Sequence, residues 1–191
     1  MKLSIIIPLY NETSTVHALL EAVRKARLPG GIEREIIVVD DGSTDGGGDA
    51  VAAMGGDDIV LLRHKKNRGK GAAIRTALAS LTGDIAIIQD ADLEYDPGEY
   101  SVLLKPILEC KADVVYGSRF VTHGSRRVHL FRHYMGNRFL TFVSNVFSNY
   151  NISDIETCYK VFKTSIVREM KLNENGFGFE AEITQKFARA K

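Results

Sequence analysis

The chain has 191 residues, a formal net charge of +1, 45% hydrophobic and 26% charged residues. That is enough for one α/β domain with a sizeable core, and the near-neutral balance gives no electrostatic case for a nucleic-acid partner. The two cysteines, Cys110 and Cys158, lie far apart and have no neighbours at metal-ligand spacing, a pattern that fits a reducing compartment and gives no disulfide framework.

In chain order, Leu3 to Leu9 is a short apolar run rich in β-branched residues and reads as a buried strand. It contains Pro8 and runs directly into Asn11 and Glu12, so it is neither a leader peptide nor the roughly 20 residues of a spanning helix. Glu12 to Arg27 carries Val16, Leu19, Leu20 and Val23 at helical spacing. Glu35 to Asp40 is a second buried strand, followed by turn and cap residues at 41–45 and a helix to about Met54. Ile59 to Leu62 is a third strand, Gly71 to Leu81 an Ala-rich helix, and Asp84 to Gln89 a fourth strand. Glu99 to Cys110 is helical in pattern but is expected to be interrupted at Pro106. Asp113 to Gly117 is a fifth strand.

Strands separated by helices of about a dozen residues predict parallel pairing and right-handed crossovers, hence an open, doubly wound, mostly parallel α/β sheet with flanking helices. Beyond Phe120 the chain turns rich in Arg, His, Phe and Asn, with no strand pattern until Cys158 to Phe162. One domain over 1–191 is expected, in two parts, 1–119 and 120–191. Phe179 to Lys191 reads as an amphipathic helix without a cap, so a natural continuation of the chain is expected. The covered part is expected in the cytosol or on the cytosolic face of a membrane.

In a doubly wound sheet, ligands lie beyond the carboxyl ends of the strands. Those ends carry Pro8-Leu-Tyr-Asn-Glu12, Asp40-Asp-Gly-Ser43, His64 to Gly71, Asp90-Ala-Asp92 and Gly117-Ser-Arg-Phe120. In extended backbone, Asp90 and Asp92 point to one side. Two carboxylates so placed make a hard oxygen site for Mg²⁺ or Mn²⁺, and Glu94 continues the alternation as a third donor. A solvated acidic loop is the competing reading. Asp40 and Asp41 can accept from a base N–H or from ribose hydroxyls, or cap a helix. Asn67-Arg-Gly-Lys70-Gly71 is not a Walker motif, because Gly71 stands where Ser or Thr is needed, and not a dinucleotide fingerprint, because Ile74 replaces the third glycine. It either brings backbone close to a ligand or merely turns into a helix. A calcium loop over 41–52 is excluded by Ala52 at the position of the bidentate Glu. Arg119, Arg126, Arg127 and Arg132, with His123, His129 and His133, form a basic stretch suited to phosphate or are a solvated loop. Phe139, Phe142, Val143, Val146 and Phe147 make an apolar stripe. Such stripes are usually core, but beside basic residues one can also meet a lipid surface.

Ile5 to Glu12, Val38 to Ser43, Asn67 to Ala73, Gln89 to Leu93, Gly117 to Phe120 and Asp154 to Lys160 occur in that order. Together they resemble the family 2 inverting glycosyltransferases, in particular the dolichyl- or polyprenyl-phosphate mannosyl- and glucosyltransferase branch. The resemblance implies a nucleotide-sugar donor, a polyprenyl-phosphate acceptor, a Mg²⁺ or Mn²⁺ cofactor and a membrane surface as partner, reached through a further C-terminal region. It implies that residues 1–119 form a nucleotide-sugar-binding half and 120–191 an acceptor-binding half, and that Pro8, Tyr10, Glu12, Asp40, Asp41, Lys70, Gly71, Asp90 and Ala91 bind the nucleotide-sugar. Asp90, Asp92 and Glu94 would hold the metal, Glu94 standing where relatives often have Gln. Asp92, Asp154, Arg119 and Arg132 would form the catalytic set. Thr157-Cys-Tyr-Lys160 departs from the Ser-Gly-Phe-Arg common in the mannosyl branch and leans toward a bacterial or archaeal glucosyl-type member.

A lipid-phosphate acceptor has a second pKa of about 6 and needs no general base at neutral pH. A hydroxyl acceptor does need one, and Asp154 is the candidate. Transfer to a sugar hydroxyl, a non-catalytic nucleotide-binding module and a nucleotidyltransferase are the alternatives. The last is disfavoured because Tyr10-Asn-Glu12 replaces a basic, glycine-rich first loop.

Overall fold

The computed structural model describes residues 1–120 and 130–190. Its elements, in order, are β1 (Lys2–Leu9), α1 (Thr13–Lys25), β2 (Glu33–Asp40), α2 (Gly47–Met54), β3 (Ile59–Arg63), α3 (Lys70–Leu78), β4 (Ile85–Ile88), α4 (Tyr100–Leu108), β5 (Val114–Tyr116), α5 (Phe131–Ser148), β6 (Lys160–Lys163), α6 (Thr164–Val167) and α7 (Phe179–Arg189). The six strands form one sheet in the order β3-β2-β1-β4-β6-β5.

The apolar runs are continuous because both faces of the sheet are covered. Leu3, Ile5 and Ile7 of β1 face one core with Leu19 and Leu20 of α1 and Leu104 of α4. Ile6, on the other side of the pleat, packs in a second core with Ala73 and Ile74 of α3 and Phe179 and Ile183 of α7. The mostly parallel, doubly wound sheet expected from the sequence is the one observed. β1 pairs in parallel with β2 and β4, and β2 with β3.

Three features differ from the sequence expectation. β5 makes no parallel pair and is separated from β4 in the sheet. β6 enters between them, antiparallel to both, and its Val161 and Phe162 are fully buried. Pro106 does not interrupt α4, which runs through it. Burial of Tyr100, Leu103, Leu104 and Ile107, at about 1.5–3 kcal/mol per large apolar side chain, exceeds the roughly 3 kcal/mol cost of an internal proline. The stripe on α5 is not core: Phe139, Phe142, Val146 and Phe147 are all more than 60% exposed, and Val143 is half-buried. The buried face of α5 is instead Asn137, Thr141 and Ser144. Asn137 Nδ2 donates to Asp154 at 2.8 Å, and Thr141 Oγ1 accepts the Ile155 N–H at 3.1 Å. α5 therefore turns its polar stripe inward to serve the segment after it.

At the end of the sheet away from the carboxyl edge, Glu35 ties β1, β2 and the turn before β4 together. It pairs with Lys2 at 2.8 Å, accepts from the Ser4 hydroxyl and accepts the Thr82 N–H at 2.8 Å. Burial raises its pKa, but these donors outweigh burial and bring it down to about 2 from 4.5. A carboxyl with a lowered folded pKa contributes stability that is complete above about pH 4.5 and is lost as pH falls toward 2. Glu35→Gln should therefore cost about 2 kcal/mol at pH 7 and flatten the pH dependence between 4.5 and 2, as read by urea unfolding across that window.

Candidate active site

At the carboxyl ends of β1, β2 and β4 a cavity of about 430 Å³ opens. Pro8, Tyr10 and Glu12 come from the end of β1, Asp41 from the end of β2, Asn67, Gly69 and Lys70 from the β3–α3 turn, and Asp90, Ala91 and Asp92 from the end of β4. A cleft of about 610 Å³ at the β5 edge is larger, but Asp113 is the only carboxylate among its described lining residues.

Extended backbone ends at Ile88, and residues 91–95 bend, so strict alternation does not carry through Asp92 to Glu94. Asp92 Oδ1 instead accepts the Glu94 N–H at 3.1 Å, and Glu94 is exposed. The carboxylates nevertheless act on one another. Burial first, and then the charges of Asp90, Glu94 and Glu12, raise the Asp92 pKa against the Glu94 N–H that lowers it. Two hard carboxylates facing a cavity fit Mg²⁺ or Mn²⁺, which takes one or two protein carboxylates and completes its shell with phosphate oxygens and water. Among the described residues no three His, Cys, Asp or Glu side chains converge as a closed metal cage.

Asp90 is also held from within the protein. Lys70 Nζ lies 2.8 Å from Asp90 Oδ1 and 3.1 Å from Glu180 Oε1, and Glu180 pairs in turn with the fully buried Lys160. Burial opposes the charge on Lys70, but Glu180 and Asp90 keep its pKa well above the ordinary value. Asp90, Lys70, Glu180 and Lys160 thus alternate in sign from the cavity into the core.

The two aspartates after β2 have separate tasks. Asp40 is buried, accepts the Ser43 N–H at 2.9 Å and lies against Gly48, where a Cβ would meet its Oδ2 at 2.0 Å. Asp41 accepts from the N–H groups of Arg68 at 3.0 Å and Gly69 at 2.7 Å. It also meets His64 Nδ1 at 2.5 Å, while His64 Nε2 reaches Thr76 Oγ1 at 2.8 Å. Asp41 therefore clamps the 67–69 turn beside the cavity.

A second cluster lies around Asp154, which is 1% exposed. Arg119 grips it with two guanidinium bonds, 2.8 and 2.9 Å, and its own N–H at 3.2 Å. Burial raises a carboxyl's pKa, but Arg119 and Asn137 override burial and hold Asp154 below the usual range. The charge of Glu94 reaches Arg119, which links this cluster to the β4 edge. Arg132 and His133 are exposed on the first turn of α5. His123, Arg126, Arg127 and His129 lie outside the described residues.

The structure thus brings Pro8, Tyr10, Glu12, Asp41, Lys70, Asp90, Ala91 and Asp92 to one cavity. Gly71 is not among the residues that line it. Gly71 is buried against the loop before α7, where a Cβ would meet the Glu174 carbonyl oxygen at 2.4 Å. Gly69 lines the cavity instead. Sequence reasoning also missed Glu180, whose partners are distant in the chain, and Gly176 and Phe177 at the cavity wall. An apolar residue between Gly176 and Gly178 is the signal that was available for Phe177.

Residues 4–171 match the family described as Glycosyl transferase family 2. The chain belongs to this family. It is 27% identical over 189 residues to a dolichol-phosphate mannosyltransferase of Pyrococcus furiosus, covering 97% of this chain and 53% of that protein. It is 25% identical over 175 residues to a dodecaprenyl-phosphate galacturonate synthase of Rhizobium johnstonii, covering 90% and 51%. The chain spans about half the length of the curated relatives it matches. Among solved structures, glucosyl-3-phosphoglycerate synthase from Mycobacterium tuberculosis, in complex with Mn²⁺, UDP and its product, superposes with a TM-score of 0.74 at 20% identity, covering 94% of this chain and 62% of that one. S. aureus TarS 1-349 in complex with UDP gives 0.70 at 22% identity, covering 98% and 55%. The fold is that of the GT-A glycosyltransferases.

The contact between Gly71 and the Glu174 carbonyl makes Gly71→Ala costly. It should destabilise the domain by about 2 kcal/mol and lower Tm by about 5 °C. Gly136→Ala, on α5 with nothing within 4 Å of its added Cβ, should leave Tm unchanged or raise it. Thermal unfolding of the two variants side by side checks this.

Proposed function

We propose that the chain transfers a hexose from a UDP- or GDP-linked donor to a polyprenyl phosphate, with inversion at the anomeric carbon, at the cytosolic face of a membrane. The observation that carries this reading is the state of Asp154. A general base needs a free oxygen and a pKa near the working pH. Asp154 has its oxygens occupied by Arg119 and Asn137 and its pKa pushed down. That is a poor base for a hydroxyl acceptor. A phosphate acceptor, already an anion at neutral pH, needs none. The names of the two relatives, both transferring to a polyprenyl-type phosphate, support the same acceptor class.

The position of each residue supports a role in this reading. Pro8, Tyr10 and Asp41 meet the nucleoside end of the donor, with Asp40 fixing the turn behind them. Glu12 adds charge at the β4 edge. Asp90 and Asp92 are the residues that would hold Mg²⁺ or Mn²⁺, with Glu94 adjacent. When bound, that ion neutralises the diphosphate as it leaves the sugar. Lys70 holds the Asp90 carboxylate in one orientation, so the site is preorganised. The acceptor oxygen attacks from the face opposite the diphosphate. Arg119, fixed by Asp154, and Arg132, exposed at the start of α5, position the acceptor phosphate. The exposed Phe139, Phe142, Val146 and Phe147 beside Arg132 suit the lipid carrying that phosphate and the membrane surface holding it.

The test is transfer of radiolabelled sugar from UDP- and GDP-linked donors to a polyprenyl phosphate, read by extraction of product into organic solvent. One donor class should give extractable product, and Asp92→Asn should abolish it. Asp154→Asn should lose less than about 100-fold, because a true general base contributes about 100- to 10,000-fold. Loss of the chemical step in Asp154→Asn with donor binding intact, or product that stays in the aqueous phase on a sugar hydroxyl, contradicts the phosphate-acceptor reading.

A further inference from the structure

The loop before α7 presents an exposed aromatic on an unusually well-fixed backbone. Phe177 is 81% exposed and, with Gly176, lines the cavity that also holds Tyr10, Asn67 and Gly69. Single exposed apolar residues are ordinary on protein surfaces. This one differs in how its backbone is held. The Glu182 carboxylate accepts the N–H groups of Asn173 and Glu174 at 2.9 Å each. The Asn175 carbonyl accepts the Ala72 N–H at 3.1 Å. Arg75 on α3 grips the Glu174 carbonyl and the Asn175 side chain. On the far side, the Gly176 and Phe177 carbonyls accept the N–H groups of Phe179 and Glu180 at 3.3 and 3.2 Å. Gly69, at φ +95°, has no room for a side chain, because a Cβ there would meet the Asn175 carbonyl oxygen at 2.4 Å and Gly176 Cα at 3.3 Å.

The Phe177 backbone is therefore locked to the turn that Asp41 clamps, and the ring is left at the mouth of the cavity. A flat apolar ring gains nothing from a diphosphate. It gains from the face of another ring, and base–aromatic stacking tolerates any base because each has a π-face. We infer that Phe177 is a positioning residue that covers the nucleoside end of the donor by stacking on its base, sharing that task with Tyr10 across the same cavity. This rests on the donor-binding reading above. It assigns the loop before α7, over 160 residues downstream of Tyr10 in the sequence, to donor recognition.

Calorimetric titration of the wild type, Phe177→Ala, Phe177→Leu and Phe177→Trp with UDP, GDP, UDP-glucose, GDP-mannose and pyrophosphate, all with Mn²⁺, tests it. Phe177→Ala and Phe177→Leu should weaken the preferred nucleotide about tenfold and leave pyrophosphate affinity and Tm unchanged, while Phe177→Trp should retain nucleotide affinity. Equal weakening of pyrophosphate and nucleotide would overturn the inference, because the effect would then belong to the loop and not to the base. Unchanged nucleotide affinity in Phe177→Ala overturns it too, as does a loss seen with the nucleotide-sugar but not with the nucleotide, which would move the ring to the hexose. In all three cases donor binding itself stands. If the wild type binds no nucleotide, the donor-binding reading fails and this inference falls with it.

Discussion

Parallel pairing of β1 with β2 on one side and β4 on the other sets Leu9 beside Asp40 and Ile6 beside Ile88. The backbone continues that register past the strands: the Asp41 N–H bonds to the Leu9 carbonyl at 2.8 Å and the Gln89 N–H to the Ile6 carbonyl at 2.9 Å. Side chains that follow three separate strands therefore emerge at one edge. Tyr10 and Glu12, Asp41, and Asp90 to Asp92 meet there because the apolar residues behind them admit no other alignment. A one-residue slip of β1 would exchange Ile6 with Leu3, Ile5 and Ile7 between the two cores. The site is a consequence of core packing at the middle of the sheet.

Charge then determines what this edge can do. The charges of Asp90, Glu94 and Glu12 all act on Asp92, and Lys70 pairs with Asp90 from inside. The buried Lys160 would be costly alone, yet with Glu180 and the carbonyls of Ile155 and Thr157 it anchors Lys70 from the core side. Asp92 receives the Glu94 N–H, and burial first, then the neighbouring carboxylates, raise its pKa. At Asp154 the carboxylate is instead saturated by Arg119 and Asn137. The two acidic centres are thus shifted in opposite directions, Asp92 upward by burial and neighbouring carboxylates and Asp154 downward by Arg119 and Asn137.

The parallel strands and the strand-end carboxylates were legible in the sequence because they depend on local runs such as Ile5 to Leu9 and Ile36 to Asp40. The position of β6 was not, because Lys160–Lys163 is short and its insertion between β4 and β5 is a long-range event. The exposure of α5 was also hidden. Periodicity shows that Phe139, Phe142 and Val146 share a face, but not that Asn137 and Thr141 are required inward by Asp154 and Ile155. Six ordered motifs gave the family, which the match over residues 4–171 shows. Gly71 illustrates the limit of motif reading: a glycine in a ligand-facing motif proves to be a packing glycine, and its neighbour Gly69 faces the cavity.

The most direct test of the central claim, that Asp90 and Asp92 grip a donor diphosphate through a divalent cation, is calorimetric titration of the protein with UDP and GDP, each with and without Mn²⁺. The account predicts binding of one nucleotide that depends on Mn²⁺ and disappears in Asp92→Asn while the fold is retained. Binding of equal strength without the metal, or metal-dependent binding that survives Asp92→Asn, would contradict it.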